Sequence, residues 1–207
     1  MRINAVVRTL VVTDFFYNSA FGSFAPIFAI FISGQIVGGS AAVAGFATAA
    51  FWITKSVLQL PIARFLDRTD GERDDFWAMF SGYLLSGLVP FAYLFATLPW
   101  HLYVIQACYG VFMALAVPGW YAIFTRHVDS GRIGFEWSMQ SVFSVGVATA
   151  LSAAVGGYVA DRYGFSPLFL MAGILSFSAS FLLLLLRPYL LPRDRKGVWL
   201  PERTPHR

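Results

Sequence analysis

Charge is scarce in this sequence: 13% of its 207 residues are Asp, Glu, Lys or Arg, about half the share of an ordinary soluble domain. No acidic residue occurs between Asp75 and Asp129. There is one cysteine, Cys108, which excludes an internal disulfide. The three histidines are His101, His127 and His206. None stands at metal-ligand spacing, no glycine-rich phosphate loop is present, and no nucleophile has a base in reach of its segment. An enzyme is therefore not expected, nor a metal site or a cofactor. The net charge of +4 is spread over short loops, so nucleic acid is not an expected partner.

Apolar residues are abundant. They make up 57% of the chain, and the mean hydropathy is +0.64. A bilayer-spanning helix needs about 20 mostly apolar residues. Six stretches qualify: 6–32, 41–65, 76–98, 102–124, 135–159 and 167–186. They lack the alternation of a membrane strand, and a backbone in hydrocarbon must bond to itself. An all-α membrane protein follows. The first stretch begins after Arg2 and Arg8 as a signal peptide does, but it is too long and no cleavage site follows it, so a retained span is expected.

The loops set the orientation. One set of helix ends carries thirteen Lys or Arg residues, among them Arg64, Arg68, Arg73, Arg126, Arg132 and Arg187, and the opposite set carries only Arg162. Positive charge stays inside, so both termini are expected in the cytoplasm of a bacterial-type inner membrane. Residues 1–186 form the membrane domain in this reading. Residues 187–207, basic and rich in proline, form a disordered tail near anionic headgroups.

The second stretch ends in Asp67-Arg68 and the fifth in Asp161-Arg162, 94 positions on. Pro26 in the first is matched by Pro118 in the fourth, 92 positions on. Three spans per unit is odd, so the second unit is inverted, as in secondary transporters. The second and fifth spans are rich in small residues, including Ala47, Gly146, Ala150, Gly156 and Gly157, which allow close helix packing. They are expected at a subunit interface, the first and fourth around a cavity, and the third and sixth, with bulky Leu and Phe, against lipid.

These features resemble the major facilitator superfamily. Its loop between the second and third spans carries G-x-x-x-D-R-x-G-x-R/K. This sequence reads Ala63-Arg64-Phe65-Leu66-Asp67-Arg68-Thr69-Asp70-Gly71-Glu72-Arg73 there, with alanine for the first glycine and one extra residue before Gly71. The segment Gly156-Gly157-Tyr158-Val159-Ala160-Asp161-Arg162-Tyr163-Gly164-Phe165 is similar to the family's pattern after its fifth span. Ser152-Ala153 stands where antiporters of the family have Gly-Pro, so antiport is not implied. The resemblance implies half of a twelve-span fold. The missing wall would come from a second copy, or from a different six-span half, meeting it through the second and fifth spans. It also implies that Asp67 and Arg68, with Ala63, Gly71 and Arg73 of the same motif, latch the halves on the cytoplasmic side, where Glu136 is expected to pair with Arg126, Arg132 or Arg68.

Two ionisable residues fall inside spans, Asp14 and Lys55. At 1.5 Å per residue they lie about 12 and 13 Å from the cytoplasmic ends, depths that allow an ion pair. Such residues are candidate functional groups because their burial is costly. Asp14, Tyr17, Asn18 and Phe21 follow helical spacing and share a face. Gln106, Tyr109 and Met113 share one on the fourth span, with Trp120 nearer the cytoplasm. These residues are the expected pathway for a small solute, and Asp14 the expected exchanger of a proton or counter-ion. Asp67-x-x-Asp70-Gly71 resembles the metal motif of CDP-alcohol phosphotransferases, but its later aspartates are missing. Gly164-Phe165-Ser166-Pro167 resembles a rhomboid nucleophile site, but no span holds its histidine. Two functions remain: a transporter subunit, and a membrane subunit that assembles a partner without transporting anything.

Overall fold

The computed structural model describes residues 3–68 and 72–190, and every regular element among them is helical. Six helical units are long and apolar enough to cross a membrane: Ala5–Gln35, Ala41–Leu66, Glu72–Tyr93, Pro99–His127, Ile133–Tyr163 and Phe165–Tyr189. Gly71 of the loop motif and the tail from 191 lie outside the described residues.

Local chemistry explains where the helices begin and break. The Asn4 side chain accepts the Val6 N–H at 2.9 Å and caps the first helix. Ser40 caps the second through the Val43 N–H. Pro26, which has no N–H to give, sits in a 3₁₀ turn, Ala25–Ile27, that divides the first unit. The fifth unit is α-helical over Ile133–Met139, winds into a π-helix over Gln140–Val147 and returns to α-helix at Ala148–Tyr163. Gly164, at φ +86°, turns the chain into the sixth helix. The third helix opens with Glu72, Asp74 and Asp75, and the fourth closes with Arg126 and His127. The carboxylates and Arg126 complement their helix dipoles. The two ends meet, with Arg126 bonded to Asp75 at 2.5 Å and His127 Nδ1 3.5 Å from Glu72.

The second helix packs along the fourth, the third along the fourth, and the first along the fifth and sixth. The apolar core has two parts. One joins Val7 and Leu10 to Phe76, Met79, Ile123, Phe124 and Leu186; the other joins Phe24, Phe31 and Ile32 to Tyr93, Leu102, Leu168 and Phe169. The first helix runs from one part to the other, and its polar residues lie at the changeover.

Two packing expectations are corrected. The third and sixth helices are the most enclosed, not the lipid-facing pair: in their most apolar windows 56% and 44% of residues are buried, against 6% and 17% in the second and fifth. Their bulky residues, such as Met79, Leu168 and Phe169, fill the core, and only one side of the sixth, with Leu170, Ile174 and Leu185, faces outward. Nor do the small residues of the second and fifth helices all lie on a free face. Ala47 is buried in the core. Gly156 is packed against the backbone of Ser23, where a Cβ would collide with the Ser23 carbonyl. Gly146 and Ala150 are exposed, and a Cβ on Gly157 would meet nothing within 4 Å.

This difference gives a stability test. Gly156→Ala is expected to destabilise the fold by about 1–3 kcal/mol through overpacking, and Gly157→Ala to leave it unchanged or slightly stabilised. Thermal unfolding of the purified variants measures both.

Candidate functional site

The site forms where four helices bring polar groups into an apolar interior. Asp14 projects from the first helix and is 4% exposed. Its Oδ1 accepts the Tyr83 hydroxyl of the third helix at 2.6 Å, and its Oδ2 accepts the Gln140 Nε2 amide of the fifth at 2.5 Å. Ser144, one turn beyond Gln140, lies 2.8 Å from both Gln140 Oε1 and the Val11 carbonyl, acceptors between which its proton is shared. Asn18 donates to the Ser144 carbonyl at 2.8 Å. Tyr17 donates to Ser86 Oγ at 2.7 Å and lies 3.3 Å from Met113 Sδ. Its ring centroid is 4.4 Å from that of Tyr83.

Gln140 and Ser144 stand in the π-helical segment. Such segments are uncommon and recur at functional sites. Three further bonds thus tie the first helix to the fifth beyond their apolar packing. Trp120 is also buried beside Asp14, and its indole N–H lies near the carboxylate but outside hydrogen-bond geometry. Together these residues line a cavity of about 320 Å³, walled by Asp14, Tyr17, Met113, Trp120, Trp137 and Gln140 with neighbours from the same helices. Its one ionisable carboxylate is held by neutral donors alone, and no Lys, Arg or His is in its lining.

The model of the Major Facilitator Superfamily matches residues 10–205. The chain belongs to this superfamily. A search of curated proteins gives no match. Among solved structures the chain is similar to the in meso crystal structure of the POT family transporter PepTSo, with a TM-score of 0.75 and 12% identity. That match covers all of this chain and 40% of the other, so the chain spans less than half the length of that relative. At this identity the likeness is one of fold. Membership of the superfamily points to a transport protein rather than an enzyme.

Within this superfamily fold, the residues singled out from the sequence separate into groups. Asp14, Tyr17, Asn18, Met113 and Trp120 share the cavity. Tyr109 is set beside it, packed between Phe21 and Phe51 at ring distances of 4.9 and 4.6 Å. Gln106 is buried on the fourth helix outside the cavity lining. Lys55 corrects the expected ion pair. Its ammonium lies 4.8 Å from the Trp52 ring and 5.9 Å from the Phe51 ring, and makes no ion pair with Asp14. Matching depth was not enough, because the second helix packs along the fourth and not along the helix that carries Asp14.

The superfamily loop residues lie apart from the cavity. Asp67 and Arg68 are exposed, and the Asp67 N–H bonds the Ala63 carbonyl at 2.9 Å. Arg73 is exposed in the first turn of the third helix. Glu136 is buried, and its Oε2 accepts the Asp129 N–H at 3.3 Å. This corrects its expected pairing: Arg126 is bonded to Asp75, and neither Arg132 nor Arg68 reaches Glu136 within ion-pair distance. Sequence reasoning left Tyr83, Ser86, Gln140 and Ser144 out of the pathway. Their signal was present as polar residues at spacings of three and four in apolar helices, Tyr83/Ser86 and Gln140/Ser144.

The geometry separates the two intramembrane ions by experiment. Tyr83→Phe leaves a buried carboxylate oxygen without its donor and is expected to destabilise the protein by about 1–3 kcal/mol. Lys55→Met is expected to change stability by less than about 0.5 kcal/mol. Equal losses in thermal unfolding would restore the ion pair.

Proposed function

We propose that this chain is one six-helix half of a transporter that moves a small solute by alternating access. The observation that carries this reading is the cavity at Asp14, a polar and aromatic pocket inside a bundle whose second and fifth helices are largely uncovered. A membrane subunit that only assembles a partner has no use for a buried carboxylate in a cavity, since such a group is costly in a bilayer.

In this reading the uncovered flank meets a second six-helix half, which is a second copy of the chain. Large apolar side chains stand out along it, Trp52, Val57 and Leu60 on the second helix and Leu151 and Val155 on the fifth. Of the small residues, Gly146, Ala150 and Gly157 remain available for that contact, and Lys55 reaches toward the second half. The two three-helix units are inverted repeats, marked by Pro26 and Pro118 and by the Asp-Arg pairs that end the second and fifth helices. Rocking of one half against the other then exposes the cavity to each side of a bacterial-type inner membrane in turn. The ends of the helical domain that carry Arg8 and Arg187 lie in the cytoplasm. Asp67 and Arg68, with Arg73 nearby, latch the halves on that side.

Asp14 is the coupling group. A carboxylate held by two neutral donors from different helices gains or loses a proton or counter-ion when those helices shift, so its occupancy reports the conformation. Gln106 and Tyr109 complete the pathway on the fourth helix.

Two experiments test this reading. In a Cys108→Ser background, Ala150→Cys is expected to form a disulfide-linked dimer in native membranes, and Leu185→Cys is not. A link at Leu185 and none at Ala150 would exclude the pairing of two copies through the fifth helix. In proteoliposomes screened for solute uptake, Asp14→Asn is expected to remain folded and lose accumulation against a gradient. Undiminished accumulation in that variant would remove Asp14 from the coupling.

A further inference from the structure

The cavity has a charge imbalance that its own walls do not correct. Asp14 contributes one carboxylate, and both of its oxygens are held by neutral donors, Tyr83 and Gln140. Lys55, the other ionisable group inside a span by sequence, stands on a different face. Hydrogen-bonding capacity is also largely used up. Tyr17 is bonded to Ser86, Asn18 to the Ser144 carbonyl and Gln140 to Asp14.

Beside this carboxylate stands an aromatic wall. Trp120 and Trp137 have ring centroids 5.9 Å apart at 66°, Trp120 and Tyr121 are 5.5 Å apart at 78°, and Tyr121 and Trp137 are 6.4 Å apart at 40°. Trp120 meets both Trp137 and Tyr121 edge to face, Tyr121 and Trp137 are tilted, and one face of Trp120 is stacked on Phe124 at 4.8 Å. All three line the cavity, with Val117, Val145 and Met113 beside them. Ring faces attract cations, best those of tryptophan.

An anion entering this cavity would meet Asp14 and find no Lys or Arg. A sugar would find few polar groups not already bonded. A positive charge on an apolar or aromatic body satisfies both halves of the lining: the charge beside Asp14 and the body on the rings. The volume of about 320 Å³ is at the small end of ligand cavities. We infer that this cavity binds a small hydrophobic organic cation, a substituted ammonium on an apolar body, between Asp14 and the Trp120–Tyr121–Trp137 wall. The inference rests on the transporter reading for its biological sense, but binding is measurable without transport.

The test uses the full chain in lipid nanodiscs and two probes of one shape, benzyltrimethylammonium and the N-oxide of N,N-dimethylbenzylamine, which carries no net charge. Equilibrium dialysis is expected to give an affinity for the cation about tenfold or more above that for the oxide, as a close charge pair requires. Trp137→Leu is expected to weaken the cation by roughly threefold to thirtyfold. Folded Asp14→Asn is expected to bind the two probes nearly alike. Equal affinity of the wild-type protein for both probes would overturn the inference, as would failure to retain the cation at millimolar concentration. So would a cation preference that survives in folded Asp14→Asn. If that variant does not fold, the two probes on the wild-type protein and the Trp137→Leu result decide. Failure of binding leaves the transporter reading standing, whereas a cation that binds and never crosses a liposome membrane removes that reading and keeps the site.

Discussion

A carboxylate cannot be left alone inside a membrane. An ionised side chain at bilayer depth costs a few kcal/mol even on insertion scales, and without hydrogen bonds the penalty grows. The structure meets that constraint by bringing two other helices to Asp14. Tyr83 comes from the third and Gln140 from the fifth, and each donates to one oxygen. Ser144 orients Gln140, and Asn18 ties the Ser144 carbonyl back to the first helix. The relative placement of these helices is thus written in a few polar bonds, which are directional where apolar packing is not. That makes the site sensitive to helix movement: a shift of the fifth helix against the first breaks bonds to the carboxylate, and a change at the carboxylate alters what the helices prefer.

The rest of the bundle supports this arrangement. Small residues let the helices approach, since in lipid no hydrophobic force draws them together. Gly156 admits the Ser23 backbone and thereby holds the first helix near the fifth. The π-helical turn places Gln140 and Ser144 on the side that meets Asp14 and Asn18. At the other end of the third helix, Asp75 and Arg126 join two helix ends whose dipoles they complement. The network is therefore braced by close backbone packing on one side and by an ion pair on another.

Much of this was legible in the sequence, and the limits have physical causes. Six apolar stretches and the loop motifs give the number of helices and the family, because hydrocarbon permits few alternatives. Asp14 stands out for the same reason, and helical spacing puts Tyr17 and Asn18 on its face. Partners of Asp14 were not legible. Lys55 has the right charge and depth, but depth along a helix says nothing of which helices are neighbours, and the carboxylate is held by Tyr83 and Gln140 instead. Helix burial was misjudged for a related reason: Leu and Phe are the residues of both lipid contact and helix core, so composition does not tell the sixth helix's inner side from its outer one. Small residues misled in the same way. Ala47 and Gly156 serve packing within the chain, whereas Gly146 and Ala150 stand on the surface.

The central claim is that the cavity at Asp14 belongs to an aqueous path and not to the lipid phase. The direct measurement is reaction of introduced cysteines with a charged, membrane-impermeant methanethiosulfonate reagent in a Cys108→Ser background. Val145, in the cavity lining, and Ile174, on the outward side of the sixth helix, are 50% and 57% exposed, so the medium around each decides the rate. The account predicts that Val145→Cys reacts and Ile174→Cys does not. Equal protection of both cysteines would contradict it.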